Sequence, residues 1–253
     1  MQYARILKIY EYLQRNHTAS ITELSSLLGV SVVTIRKDLA VMEENGQIIK
    51  THGGAALAVS PSEPASNSRF PIGVERTAEL ATQCVEPGDF IFLGSGRTCL
   101  SLADKIKDVE NISVITNNVS AINVLCPKVR NLILLGGEII FGLDGYIHTI
   151  NSDIESALGG IYFNKAFTSG VGIDINAGLT VNTMGSTYLD KMIPGLCNSW
   201  YVMMDSSKFG IKAFYQSARL DQISCLVTDL EDQKVVSAYQ AKGLHVISPL
   251  DRK

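Results

Sequence analysis

Apolar residues recur along the chain with two different periods, and the change between them divides it. In the first 57 residues the period is helical. Ile6, Ile9, Tyr10 and Leu13 lie on one face of a first helix. Leu24, Leu27 and Leu28 mark a second in "ELSSLLG", with Thr22 as its expected cap and Gly29 as a left-handed stop. Ser31 is the expected N-cap of a third, "VVTIRKDLAVMEENG", which Gly46 would end. Val32, Ile35, Leu39 and Met42 form its expected buried stripe, and "QIIKTHGGA" (47–55) reads as a strand and turn. Two short helices around a glycine turn, after a leading helix and before a hairpin, predict a winged helix-turn-helix.

From residue 73 the pattern alternates. Short apolar runs, "FIFLG", "ISVITN", "NLILL", "KAFTSG", "WYVMMD", "CLVTDL" and "LHVIS", read as strands. Residues 74–85, 98–107, 119–126, 186–197 and 231–242 read as helices between them. Such alternation predicts βαβ units, hence an α/β domain with a mostly parallel sheet. Between the two patterns, residues 58–72 carry Pro61, Pro64, Pro71 and four serines, a linker composition. The expected organisation is therefore 1–57, a linker at 58–72, and 73–253.

Composition narrows the chemistry. Hydrophobic residues make up 46% and charged residues 19%, so the chain is globular. Its formal net charge of −3 argues against a general nucleic-acid coat. The charge is uneven: residues 1–58 hold six Lys/Arg against five Asp/Glu, and the remainder 16 against 20. Five cysteines (84, 99, 126, 197, 225) form no CxxC, and four histidines are scattered. This argues against a disulfide framework and a metal site and predicts no cofactor. No signal-like segment or membrane-length apolar run is present, so a soluble cytoplasmic protein is expected.

The third helix divides by face. Thr34, Arg36 and Lys37 lie off the apolar stripe near its start, where a recognition helix reads base edges in the major groove. Lys50 and His52 on the wing are candidates for phosphate contacts, and Ser31 joins them at the helix start. The bland alternative is a small helical bundle with ordinary surface charges. The positions Arg5, Ile9, Leu13, Ser31, Thr34, Ile35, Arg36, Lys37, Asp38 and Leu39, with "THGGA" at the wing, resemble the helix-turn-helix of the DeoR family of bacterial transcriptional regulators. The resemblance implies that double-stranded operator DNA is a partner.

In the second region polar and glycine-rich residues collect at strand ends, where α/β sheets bind ligands. Ser95, Gly96, Arg97 and Thr98 follow the first strand and precede a helix, which suits a phosphate. Asn117 follows the second strand, Gly136 and Gly137 the third, Asp174 a later one, and Lys208 stands in "DSSK" after the next. With Lys208 as counter-charge these would make a phosphosugar site. Alternatively, Lys208 pairs with Asp205 and the loops are connectors. A sugar-phosphate isomerase with an added N-terminal domain would draw on the same loop, with Asp174 or Asp205 as base.

The pieces "SGRT", "ITNN", "LLGGE", "KAFTSGVGIDINAGLT" and "DSSKFG" resemble the DeoR effector domain, which is similar in fold to ribose-5-phosphate isomerase. The resemblance implies a repressor of carbohydrate genes, controlled by a phosphorylated sugar and working as a homo-oligomer, dimer or higher. The chain departs from the family where Gly94 replaces an Asp and Arg97 a small hydroxyl residue. It departs again where Gly185 and Ser186 stand near a Glu position, and where Asp190 precedes Lys191 in place of a basic pair. Arg97 either adds a phosphate contact or fills the pocket.

Overall fold

The computed structural model describes residues 2–16, 18–44, 48–51, 53–57, 70–106, 111–141, 146–151 and 153–251. They divide into two compact units, one of residues 1–71 with 141–146, the other of 72–140 with 147–253. The proline- and serine-rich stretch lies almost wholly outside the described residues, as do Gly46 and His52.

The first unit runs α1 (Gln2–Asn16), β1 (Thr18–Ser20), α2 (Ile21–Leu28), α3 (Val32–Glu44), β2 (Ile48–Thr51) and β3 (Gly54–Leu57). The apolar faces meet: Ile9, Leu13, Leu24, Ile35, Leu39 and Met42 are fully buried together. Three expectations need correction. The cap of α2 is Ser20, not Thr22; Ser20 and Glu23 form a reciprocal capping box, which starts the helix earlier. Val32 is not part of the buried stripe: at the first turn the helix projects beyond the core, leaving Val32 36% and Val33 61% exposed. Leu27 is likewise exposed, on the outer side of α2. Gly29 does end α2 in the left-handed region, at φ 63°. The wing is a three-stranded antiparallel sheet ordered β1-β3-β2, in which β1 was not expected.

Arg5 and Asp38 join α1 to α3. The Arg5 Nε and Nη2 donate to the Asp38 carboxylate at 2.5 and 3.0 Å, and Asp38 is fully buried. Two of the family-pattern positions are thus a structural pair.

The second unit begins with α4 (Ile72–Thr82), β4 (Phe90–Leu93), α5 (Arg97–Lys105), β5 (Ser113–Thr116), α6 (Ile122–Leu125) and β6 (Asn131–Leu134). It continues with β7 (Glu138–Phe141), β8 (Ile147–Ile150), α7 (Ile154–Leu158), β9 (Phe163–Thr168), β10 (Gly172–Asp174) and β11 (Gly178–Val181). It ends with α8 (Met184–Leu196), β12 (Cys197–Met203), β13 (Tyr215–Ala218), β14 (Cys225–Val227), α9 (Gln233–Gln240) and β15 (His245–Ile247). Seven strands form one parallel sheet, ordered β15-β14-β12-β9-β4-β5-β6. Its strands are apolar on both faces, and Phe92, Phe167, Trp200 and Val202 are buried at its centre. The two-stranded sheet β7-β8, the short helix α7 and the antiparallel sheet β10-β11-β13 were not expected.

The strand order sets the site. From β4 the chain steps through β5 and β6 to one edge, then returns with β9 beside β4 and proceeds to the other edge. The switch point lies between β4 and β9, and the crevice beyond their carboxyl ends is where such sheets bind ligands.

Candidate functional site

On α3 the structure brings the expected residues to one exposed end. The Ser31 hydroxyl accepts from Thr34 N at 3.2 Å and lies 2.9 Å from the Thr34 hydroxyl. Both hydroxyls therefore hold the helix start. Arg36 and Lys37 are exposed and make no ion pair among the described residues. Lys50, on β2, pairs with Glu43 of α3 at the surface; such a pair contributes about 0–1 kcal/mol and is easily exchanged for another partner. Sequence reasoning missed Val33, whose exposed methyls stand beside Thr34. The signal was available, because Val33 falls one position off the apolar stripe.

At the switch point the loop after β4 is held by backbone and by one buried carboxamide. Gly94 N donates to Phe167 O at 2.8 Å, which ties it to β9. Gly96 takes φ 95°, ψ 172° as the residue before α5, a conformation favoured only by glycine, and no side chain caps the helix there. The first internal bond of the helix is Leu100 N to Gly96 O at 3.1 Å. The N–H groups of Arg97, Thr98 and Cys99 therefore have no acceptor within the helix, an arrangement that suits an anion. Ser95, Gly96 and Arg97 are half-buried, and Thr98 is 4% exposed.

Asn118, one residue beyond the expected Asn117, holds this loop. Its Nδ2 donates to Gly94 O at 3.4 Å and to Gly96 O at 3.2 Å. Its N–H donates to Thr116 Oγ1 at 2.9 Å, and Thr116 Oγ1 donates to Leu93 O at 2.6 Å. Asn117 faces the other way: its Nδ2 donates to Thr149 O at 3.2 Å, and its carbonyl accepts from Thr149 N at 2.9 Å. The Oδ1 atoms of Asn117 and Asn118 are buried without a hydrogen-bond partner among the described residues. Each such acceptor costs about 1–3 kcal/mol.

The other expected residues are spread along the same edge. Gly136 is exposed with open space around it. Gly137 serves packing: a Cβ there would collide with the carbonyl of Ile150. Asp174 is largely engaged, its Oδ1 accepting from Asn176 N and Ala177 N at 2.9 Å each, with Lys212 Nζ at 3.5 Å. The two backbone donors, with Lys212, hold its pKa below the usual carboxylate range. Lys208 follows Asp205 in a single turn, with Lys208 N donating to Asp205 O at 3.0 Å. The Asp205 carboxylate accepts from Ser207, through its N–H at 3.1 Å and through its hydroxyl.

The departures from the family pattern are built into the packing. A side chain at Gly94 would press on the Thr168 methyl at 3.3 Å. A Cβ at Gly185 would meet Ile150 Cγ2 at 2.7 Å. Asp190 is buried, with the Ser217 hydroxyl as its partner. Burial raises its pKa to about 7, against the pull of that hydroxyl. Burial also pushes the Cys99 thiol up, and the negative charge of Asp190 adds to that push. At the opposite end of the sheet the charges are paired, with Lys165 bridging Asp89 at 3.0 Å and Glu86 at 2.5 Å. Among the described residues no group of three or more His, Cys, Asp or Glu is placed to hold a metal. No described helix is long and apolar enough to cross a membrane.

Residues 5–60 match the model of the DeoR-like helix-turn-helix domain, and residues 75–230 that of the DeoR C terminal sensor domain. The chain belongs to the DeoR family. It is thus a DNA-binding transcriptional regulator with a C-terminal sensor domain. Among its DeoR-family relatives, the lactose phosphotransferase system repressor of Streptococcus mutans is 32% identical over 236 residues, 90% of this chain and 92% of the relative. The HTH-type transcriptional regulator IolR of Bacillus subtilis is 29% identical over 239 residues, 92% of this chain and 94% of the relative. A solved ribose 5-phosphate isomerase from Plasmodium falciparum is similar at a TM-score of 0.37 and 13% identity, over 54% of this chain and 52% of that one. The fold of the sensor domain rests on its own strand order and not on that likeness.

Proposed function

We propose that this regulator represses carbohydrate-metabolism genes in the cytoplasm and is released from its operator by a phosphorylated sugar. The observation that carries the effector reading is the uncapped N-terminus of α5, opened by Gly96 at the switch point of the sheet. The phosphate sits on Ser95, Gly96, Arg97 and Thr98, with Lys208 as counter-charge and Gly136, which has open space beside it, bordering the sugar; Asn117, Gly137 and Asp174 support the surrounding loops. The name of the Streptococcus mutans relative, a repressor of a sugar phosphotransferase system, supports the same class of effector.

On DNA, Arg36 and Lys37 read base edges and phosphates. Ser31, Thr34, Lys50 and His52 meet the backbone, and Val33 meets a thymine methyl. Residues 58–72 link the two domains. A homo-oligomer places two α3 helices about one helical turn apart on a roughly palindromic site. The effector acts by binding the two states of the protein differently.

The carboxylates argue against an isomerase. Asp174 and Asp205 are engaged by backbone and hydroxyl donors, which suits a structural acid better than a general base. The test is fluorescence anisotropy with duplexes from the upstream region of the gene, with and without a panel of pentose and hexose phosphates. Salt-sensitive, sequence-selective binding that one phosphosugar weakens is the expected result. Turnover of a phosphosugar, or binding indifferent to sequence, would overturn the reading.

A further inference from the structure

Asn118 makes no contact with solvent, yet it carries a carboxamide rather than an apolar side chain of the same shape. Its orientation is unambiguous, because Nδ2 faces two carbonyls, Gly94 O and Gly96 O. That leaves its Oδ1 buried and, among the described residues, unpartnered. A leucine would avoid that loss, so packing alone does not account for an asparagine here. What the carboxamide does, and a leucine could not, is clamp the two carbonyls that flank Ser95. Gly96 O is also the acceptor of the first internal bond of α5. Fixing this carbonyl therefore fixes the direction in which the first N–H groups of the helix point.

The clamp is continuous with a second element. Asn118 forms an isolated antiparallel bridge with His148, and Asn117 exchanges backbone and side-chain bonds with Thr149. The Thr149 hydroxyl donates to Leu135 O at 2.5 Å, and Leu135 N donates to Thr116 O at 2.8 Å. One buried polar network thus joins the loop after β4 to the ends of β5 and β6 and to β8.

We propose that Asn118 is the positioning residue of the effector loop: its carboxamide sets the backbone of Gly94–Gly96 for anion capture and ties that geometry to strand β8. The proposal rests on the effector reading above for its functional meaning, but the positioning can be measured without any ligand. Amide hydrogen exchange on the ligand-free full-length protein compares wild type with Asn118→Ala and the isosteric Asn118→Asp, which sets an acceptor against two carbonyls. Peptides covering 94–100 are expected to exchange at least tenfold faster in both variants, and those covering 147–150 faster as well. Peptides covering 225–247 should be unchanged.

In parallel, affinity for inorganic phosphate should fall at least tenfold, while affinity for a nonspecific duplex at low salt stays within twofold. A general loss of folding would move both affinities together. Asn118→Ser, which keeps one hydroxyl donor, is expected to lie between, and it decides the matter should Asn118→Ala fail to fold. Unchanged exchange over 94–100, a uniform loss of protection across the sheet in Asn118→Ser, or wild-type phosphate affinity in a variant with a loosened loop would overturn the proposal. Absence of phosphate or phosphosugar binding to the wild type would instead sink the effector reading, with the exchange arm still deciding whether Asn118 positions the loop.

Discussion

The start of α3 and the loop after β4 carry the two halves of this protein's chemistry, and they are built in opposite ways. The helix presents long, exposed side chains, Arg36 and Lys37, over a stripe that does nothing but pack. Each reader can be changed without disturbing its neighbours. The loop presents backbone N–H groups, aimed by one buried asparagine, Asn118, just beyond the end of β5. Here almost nothing can change without consequence, since Gly94, Gly137 and Gly185 all sit where a side chain would press on a neighbour. A surface that reads DNA tolerates independent parts, whereas a site that holds a small anion depends on a shared, preorganised frame.

The largest expected effect separates the units. Leu39 is 1% exposed in the core of the first unit, and Leu39→Ala should cost about 2–5 kcal/mol there. DNA binding should be lost, while the single tryptophan, Trp200, keeps its emission in the second unit. A shift in Trp200 emission would mean that the two units do not unfold separately.

Next comes Asp190, the buried acid of α8. Its folded pKa is raised from 3.8 to about 7. The stability it contributes is fully present below its unfolded value and is lost as pH rises through about 7. Asp190→Asn should remove that dependence. Denaturant titrations at pH 4 and pH 8 should then differ between variant and wild type by on the order of 4 kcal/mol. Parallel curves would show that this carboxyl is not held protonated by the fold.

Smaller effects lie on the DNA side. Arg36→Ala should weaken binding by about 1–3 kcal/mol and relax selectivity at one base position if it meets a base edge. Anisotropy against a set of single-base operator variants distinguishes that from a uniform loss, which would assign Arg36 to a phosphate. Smallest is Lys50→Ala. Its pair with Glu43 is at the surface, so unfolding should move by less than about 1 kcal/mol. The slope of log affinity against log salt should still fall by about one.

Much of the first unit was legible because its determinants are local. The capping serine Ser31, the stop at Gly29 and the stripe Ile35, Leu39, Met42 all act within a few residues. Even the misplaced start of α2 had its signal in the sequence, the Ser20–Glu23 spacing of a capping box. Strand β1 did not: its three residues pair with Gly54–Ala56, far along the chain, and carry no period of their own. In the second unit the βα alternation was visible, and so was the clustering of polar residues at strand ends. The roles within that cluster were not. Gly137 is a packing glycine, Asp174 braces a turn, and Asn118, passed over beside Asn117, is the residue that touches the loop.

By itself the sequence determined the two architectures, the exposed readers on α3 and a glycine-led loop entering a helix, because periodicity, caps and turns are short-range physics. Only the tertiary structure decided that β9 returns beside β4, and with it where the loop lies and what surrounds it. It also decided that Ile150 closes off the space beside Gly185, that Asp190 is buried, and that a carboxamide from the end of β5 aims the first turn of α5. These contacts join residues about 22 to 35 positions apart, and their energies come from burial and from the satisfaction of hydrogen bonds. Such terms exist only once the strands have been placed, so no local pattern could carry them.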